Sequence, residues 1–201
     1  MKVLAIDTST SRGSVALLDG GRVLLEETFT ADRGHESKLM PLLQRARDLA
    51  ETLDVIAVGL GPGSYAGVRI AIATAMGLQM ALGSRLIGIP SVAALETDAR
   101  AYLAVGDARR ETFYFSKVRD GECLEGPLLL DEAALHARLA DLNDWPVLVC
   151  DPLALLPMAI VAKPGALALA RLAAQGRSIV AEGALEPLYL REPHITLPKA
   201  R

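Results

Sequence analysis

Val58-Gly59-Leu60-Gly61-Pro62-Gly63-Ser64-Tyr65-Ala66-Gly67-Val68-Arg69-Ile70 is the stretch on which the reading of this chain turns. Val55 to Leu60 is a buried-strand pattern, Gly61 to Tyr65 breaks it, and a helical pattern follows from about Ala66 to Leu82, with Gly83 as its stop. Glycines between a strand and a helix let a ligand approach the backbone, and the N–H groups of a helix start attract anions. The same segment also serves as a tight crossover turn with no ligand. It is neither G-x-G-x-x-G nor a Walker loop, which ends on Lys-Ser/Thr.

Towards the N-terminus, Lys2 to Asp7 reads as a buried strand ending on a carboxylate, and Thr8 to Gly13 are turn formers. Ser14 to Leu18 is a second strand, Asp19-Gly20-Gly21 a hairpin signal, and Arg22 to Thr30 a third strand. From Glu36 to Leu53 the period becomes helical: Leu39, Leu42, Leu43, Ala46, Leu49, Ala50 and Leu53 share a stripe. Pro41 lies near the start of that helix, where a missing N–H costs least.

Beyond Gly83, Leu86 to Ile89 is a short strand, and Ser91 caps a helix expected to run to about Ala99. The pattern then restarts, with strands near 101–106, 112–118 and 126–130, a helix over 131–141, a strand from Val147 to Cys150 and a helix over 165–175. The tail from Glu186 is irregular. The expected architecture is α/β, in two similar lobes: 1–100, and a smaller 101–201 that includes the C-terminal tail.

Hydrophobic residues are 51% of the 201 and the mean hydropathy is +0.31, which excludes disorder. Aromatics are only 4%, so the chain offers few platforms for stacking bases. With a net charge of −3 and no basic stripe, it lacks the footprint of a protein that grips nucleic acid alone. Cys123 and Cys150 have no CxxC spacing, which points to a reducing compartment. No signal peptide and no uninterrupted apolar run of spanning length stand out, so the expected location is the cytoplasm, with no membrane.

The candidate chemistry is sparse. Asp7-Thr8-Ser9-Thr10 either holds a metal-bound phosphate or is a turn that bonds its own backbone. His35, His136 and His194 stand alone without metal-ligand spacing, and no G-x-S-x-G elbow is present. In the second helix Ala73, Gly77 and Ala81 recur four apart, a stripe that allows close approach of another helix, within this chain or from another subunit.

Leu4 to Thr10, Ser14-Val15-Ala16-Leu17, His35-Glu36-Ser37, Val58 to Ile70, Gly88 to Leu95 and Pro187-Leu188-Tyr189-Leu190-Arg191 together resemble the TsaB family, also called YeaZ. The resemblance is close over about the first 95 residues and loose beyond. It implies an actin-like ATPase (ribonuclease-H-like) fold with two lobes of mixed sheet and helices. It further implies a scaffold subunit, without a catalytic centre of its own, for N6-threonylcarbamoyladenosine formation at position 37 of tRNA. The transfer would be done by a paralogue, TsaD, which carries paired metal-ligating histidines. Here His35 has Leu39 four positions later, so no metal site is expected. Ser9 stands where the phosphate loop of the superfamily has glycine, so Asp7, Thr8, Ser9, Gly61, Gly63 and Ser64 are expected to form only a vestigial phosphate site.

The resemblance implies as partners the TsaD-like paralogue, a TsaE-like ATPase and a second copy of this chain in isolation, with tRNA met only indirectly. No cofactor is expected, unless a nucleotide binds at the partner interface. Leu39, Leu43, Ala46, Ala73, Gly77 and Ala81 are the expected contact residues. A small-molecule kinase of the same superfamily, using Asp7 and the 61–67 loop, is the alternative. A metalloprotease would need bound zinc.

Overall fold

Alternation along the first strand sets up the first lobe. In β1 (Lys2–Asp7) Leu4 and Ile6 face one side and Val3 and Ala5 the other, and all four are fully buried. A strand buried on both faces belongs inside a sheet covered on both sides. The computed structural model describes residues 1–30, 36–142 and 144–190, apart from the Glu36 side chain, and places β1 in such a sheet.

β1 pairs antiparallel with β2 (Arg12–Asp19), which pairs with β3 (Arg22–Thr30), so the hairpin at Asp19-Gly20-Gly21 forms as its residues dictate. On its other edge β1 runs parallel to β4 (Val55–Gly59), and β4 runs parallel to β5 (Arg85–Ile89). Helices α1 (Glu36–Leu49) and α2 (Tyr65–Leu82) cover the Leu4/Ile6 face. The second lobe has five strands in the order β10-β9-β6-β7-β8: β6 (Ala101–Asp107), β7 (Thr112–Arg119), β8 (Glu122–Asp131), β9 (Val147–Val149) and β10 (Ile160–Val161). Helix α3 (Glu132–Asp141) packs on it, capped by the Asp131 carboxylate, which accepts from the Ala134 amide.

The lobe boundary differs from the sequence expectation. Helix α4 (Ala166–Ala174) returns to the first lobe, where Ala166, Leu169, Ala170 and Ala173 cover the Val3/Ala5 face. Strand β11 (Ala181–Glu182) then pairs antiparallel with β5 and completes a six-stranded first sheet, β11-β5-β4-β1-β2-β3. A sheet with one largely bare apolar face cannot stand in water, and 1–100 alone covers the Val3/Ala5 face only with Ala93 and Ala94 of the short turn after β5.

The helix expected from Ser91 to Ala99 shrinks to a 3-10 turn, Ser91–Ala94. The backbone beyond it is drawn off by the α4 entry: the Glu96 amide donates to the Lys163 carbonyl and the Gly165 amide to the Ala94 carbonyl. Gly83 ends α2 as expected, at φ 68°, its N–H donating to the Gln79 carbonyl.

Leu169 is fully buried against the first sheet. Leu169→Ala is expected to lower unfolding stability by about 2–5 kcal/mol, read as a lower urea midpoint. A loss below about 0.5 kcal/mol would contradict the assignment of α4 to that core.

Candidate functional site

The parallel pair β1–β4 delivers both candidate loops to the same end of the sheet, and there they close on each other. The Ser64 amide donates to the Ser9 carbonyl at 2.6 Å, and the Thr8 hydroxyl to the Gly67 carbonyl at 2.7 Å. A Cβ at Gly63 would overlap the Ser9 carbonyl oxygen and one at Gly67 the Thr8 carbonyl oxygen, so glycine is what permits the contact. Ser64 caps α2, its Oγ accepting from the Gly67 amide at 3.2 Å. The Gly61 amide donates to Ser91 Oγ at 3.0 Å.

Asp7 lies beneath this closure, 1% exposed. Its Oδ1 accepts from the Ser9 amide (2.8 Å) and the Ser9 hydroxyl (2.7 Å), while Oδ2 sits against Gly59 and Ser91 without a well-formed hydrogen bond. Burial raises the Asp7 pKa; the Ser91 and Ser9 hydroxyls, the Ser9 amide and the Arg12 charge oppose it without cancelling it.

The six phosphate-site candidates are thus brought together but divided. Ser9, Gly63 and Ser64 line a cleft of about 770 Å³ between the lobes, opposite Asp107, Arg109 and Asp151. Asp7, Thr8 and Gly61 are buried behind it; the Thr8 hydroxyl and the Gly61 amide are engaged within the chain, as is one of the two Asp7 carboxylate oxygens. Cys150 also borders the cleft; burial pushes its thiol, and that of Cys123, up to about 11, so both stay protonated near neutrality. Among the described residues no group of three or more His, Cys, Asp or Glu is placed to hold a metal ion. His35 and His194 lie outside those residues, and His136 is exposed beside Glu132.

The interface candidates also divide. Leu39, Leu43 and Ala46 are 0–2% exposed and pack in the first-lobe core, which corrects the expectation that they form a contact surface. A strongly periodic apolar stripe is the face a helix turns inward, and here its own sheet takes it. Ala73, Gly77 and Ala81 are exposed, and nothing lies within 4 Å of where a Gly77 Cβ would be. Met76 (41%) and Met80 (83%) flank them.

Helix α2 is 18 residues long and, by length and composition, apolar enough to cross a membrane, although Arg69 interrupts the apolar run as the sequence shows. Its inner face, Gly67, Val68, Ala71, Ile72 and Ala75, is nevertheless built into the lobe. Sequence reasoning passed over Arg69 and Tyr189. The Arg69 guanidinium donates to the Tyr65 hydroxyl at 2.7 Å and to the Tyr189 hydroxyl at 3.4 Å. No local signal in the sequence joins them; the Tyr65 and Tyr189 rings meet at 5.7 Å only in the fold.

Two lobes of mixed sheet with helices, with the β1 and β4 loops closed on each other at one end of the first sheet, define a protein of the actin-like, ribonuclease-H-like class. The family model described as TsaD, tRNA N6-adenosine threonylcarbamoyltransferase, matches residues 28–183. TsaB of Escherichia coli K12, described as a tRNA threonylcarbamoyladenosine biosynthesis protein, is 30% identical, with 95% of each chain covered. A solved Pseudomonas aeruginosa structure, described as an uncharacterized protein similar to peptidase YEAZ, superposes with a TM-score of 0.73 at 30% identity, over 94% of this chain and 99% of that one. YeaZ from Pseudomonas aeruginosa gives 0.70 at 29%, over 87% and 91%. The chain belongs to the TsaB (YeaZ) family.

Asp7 gives the closed loops a pH signature. A carboxyl whose folded pKa is raised stabilises the fold below the ordinary aspartate range, and that contribution is lost as pH rises through the raised value. Asp7→Asn keeps the shape and removes the charge. The stability of wild type relative to Asp7→Asn is expected to fall as pH is raised from about 4, measured by urea midpoints. A difference that grows in favour of wild type instead would mean that the carboxylate is the favoured buried form.

Proposed function

We propose that this chain is the partner subunit of a TsaD-like transferase in threonylcarbamoyladenosine formation on tRNA, acting by docking and activating that enzyme rather than through a catalytic centre of its own. The observation that carries this reading is the outward face of α2. Ala73, Gly77 and Ala81 leave it flat, Met76 and Met80 make it apolar, and nothing in the described chain covers it. Contiguous exposed apolar surface marks a partner site, and small residues let two helices approach to about 8 Å. Family membership supplies the pathway and a paralogue of the same fold as the partner.

The same face accounts for self-association of the isolated chain, with the paralogue displacing the second copy. A TsaE-like ATPase joins the assembled pair, and any nucleotide sits at the shared interface. The complex works in the cytoplasm, and tRNA is held chiefly by the transferase, consistent with the net charge of −3 here. The kinase-like alternative is disfavoured by the mutual engagement of Thr8, Ser9 and the 61–67 loop.

Light scattering on a sizing column tests the reading. The expected result is a homodimer that exchanges into a one-to-one complex when the paralogue is added, with tRNA modification by the paralogue depending on this chain. A chain that ignores the paralogue and turns over ATP alone would favour the kinase reading.

Gly77→Leu is expected to leave the isolated chain as stable as wild type, or more stable by up to about 1 kcal/mol, because the added side chain meets open space. Its affinity for the paralogue is expected to fall about tenfold or more. Unchanged affinity would remove this face from the interface.

A further inference from the structure

Helices α1 and α2 leave a groove between them of about 550 Å³, lined by Leu39, Met40, Arg69, Ile70, Ala73 and Thr74. Leu39, fully buried, forms the floor. Met40, Ile70, Ala73 and Thr74 offer apolar or methyl surface, and Arg69 is the one charge among the six, at the end nearer the α2 N-terminus. Arg69 continues the outward row of α2, since Tyr65, Arg69, Ala73, Gly77 and Ala81 follow at steps of four.

Among the described residues Arg69 has no carboxylate partner: its guanidinium donates to two phenol oxygens and lies 5.2 Å from the centre of the Tyr65 ring. Some arginines of this chain pair with acids, as Arg45 does with Glu27 and Arg85 with Glu182, whereas Arg47 donates to the Glu51 carbonyl instead. What sets Arg69 apart is that two phenol oxygens hold its guanidinium. The tyrosines leave the charge uncompensated and restrict where it points. Tyr189 is itself held, because its ring meets Tyr65 at 5.7 Å and the neighbouring Leu188 amide donates to the Leu60 carbonyl at 2.9 Å.

We infer that the groove takes an apolar helix of the partner subunit bearing a carboxylate, and that Arg69, oriented by Tyr65 and Tyr189, selects that helix and fixes its register by pairing with the acid. This rests on the partner-subunit reading above and adds the chemistry the partner must present. An apolar groove alone accepts many helices in several registers. A single forked cation at one end accepts those with an acid at the matching turn and disfavours those with a lysine there.

The test is the affinity of full-length wild type, Arg69→Gln, Arg69→Lys, Arg69→Glu and Tyr189→Phe for the TsaD-like paralogue, by titration calorimetry at low and high salt. Thermal unfolding of each variant confirms that the fold is intact. Arg69→Gln is expected to bind about tenfold more weakly and to lose most of the salt dependence of wild type. Arg69→Glu is expected to bind about a hundredfold more weakly. Arg69→Lys should keep the salt dependence at reduced affinity, and Tyr189→Phe should weaken binding without altering it. Wild-type affinity and salt dependence in Arg69→Gln would overturn the inference and leave the partner-subunit reading standing. Failure of the wild-type chain to bind the paralogue would overturn both.

Discussion

The hydrogen bond from the Ser64 amide to the Ser9 carbonyl, with the Thr8 hydroxyl donating to the Gly67 carbonyl beside it, is the contact through which the rest of the first lobe is organised. It ties the start of α2 to the end of β1, so the direction of the helix is set where it leaves the sheet. Its inner residues, Val68, Ala71, Ile72 and Ala75, then fall into the core, and Ala73, Gly77 and Ala81 are left outside. The closure also engages backbone groups that could otherwise meet a phosphate. The same geometry therefore presents an apolar helix face and brings the two candidate loops into contact with each other.

The buried carboxylate beneath the closure fits this picture. Asp7 satisfies one oxygen through Ser9 and leaves the other against Gly59 and Ser91, behind rather than in the interlobe cleft. A neutral, shape-matched group serves such a position as well as an anion does, because desolvation penalises the charge. Chemistry that needs a carboxylate facing a phosphate would require the Thr8–Ser9 turn to part from Ser64 and Gly67, giving up two hydrogen bonds.

Local patterns made much of the fold legible. Strands β1 to β5, helices α1 to α4 and the Gly83 stop follow from period, turn residues and caps. The lobe boundary was not legible, because nothing local in Ala166 to Ala174 says which of two sheets it will cover. Strands β10 and β11, two residues each, exist only through their neighbours. At the candidate site the sequence singled out both loops, but their mutual hydrogen bonds join residues more than fifty positions apart and leave no periodic trace. Periodicity at Leu39, Leu43 and Ala46 reports an apolar face without saying whether the chain's own sheet or another subunit covers it, and here the sheet does. Arg69 and Tyr189, 120 residues apart, meet only in the fold.

The central claim is that α2 docks the transferase subunit, and hydrogen–deuterium exchange of this chain with and without the TsaD-like paralogue tests it most directly. Slower exchange on binding is expected over Tyr65–Leu82 and the facing turns of α1, with β6 to β8 of the second lobe little changed. Protection confined to the second lobe, or none in α2 under saturating paralogue, would contradict the account.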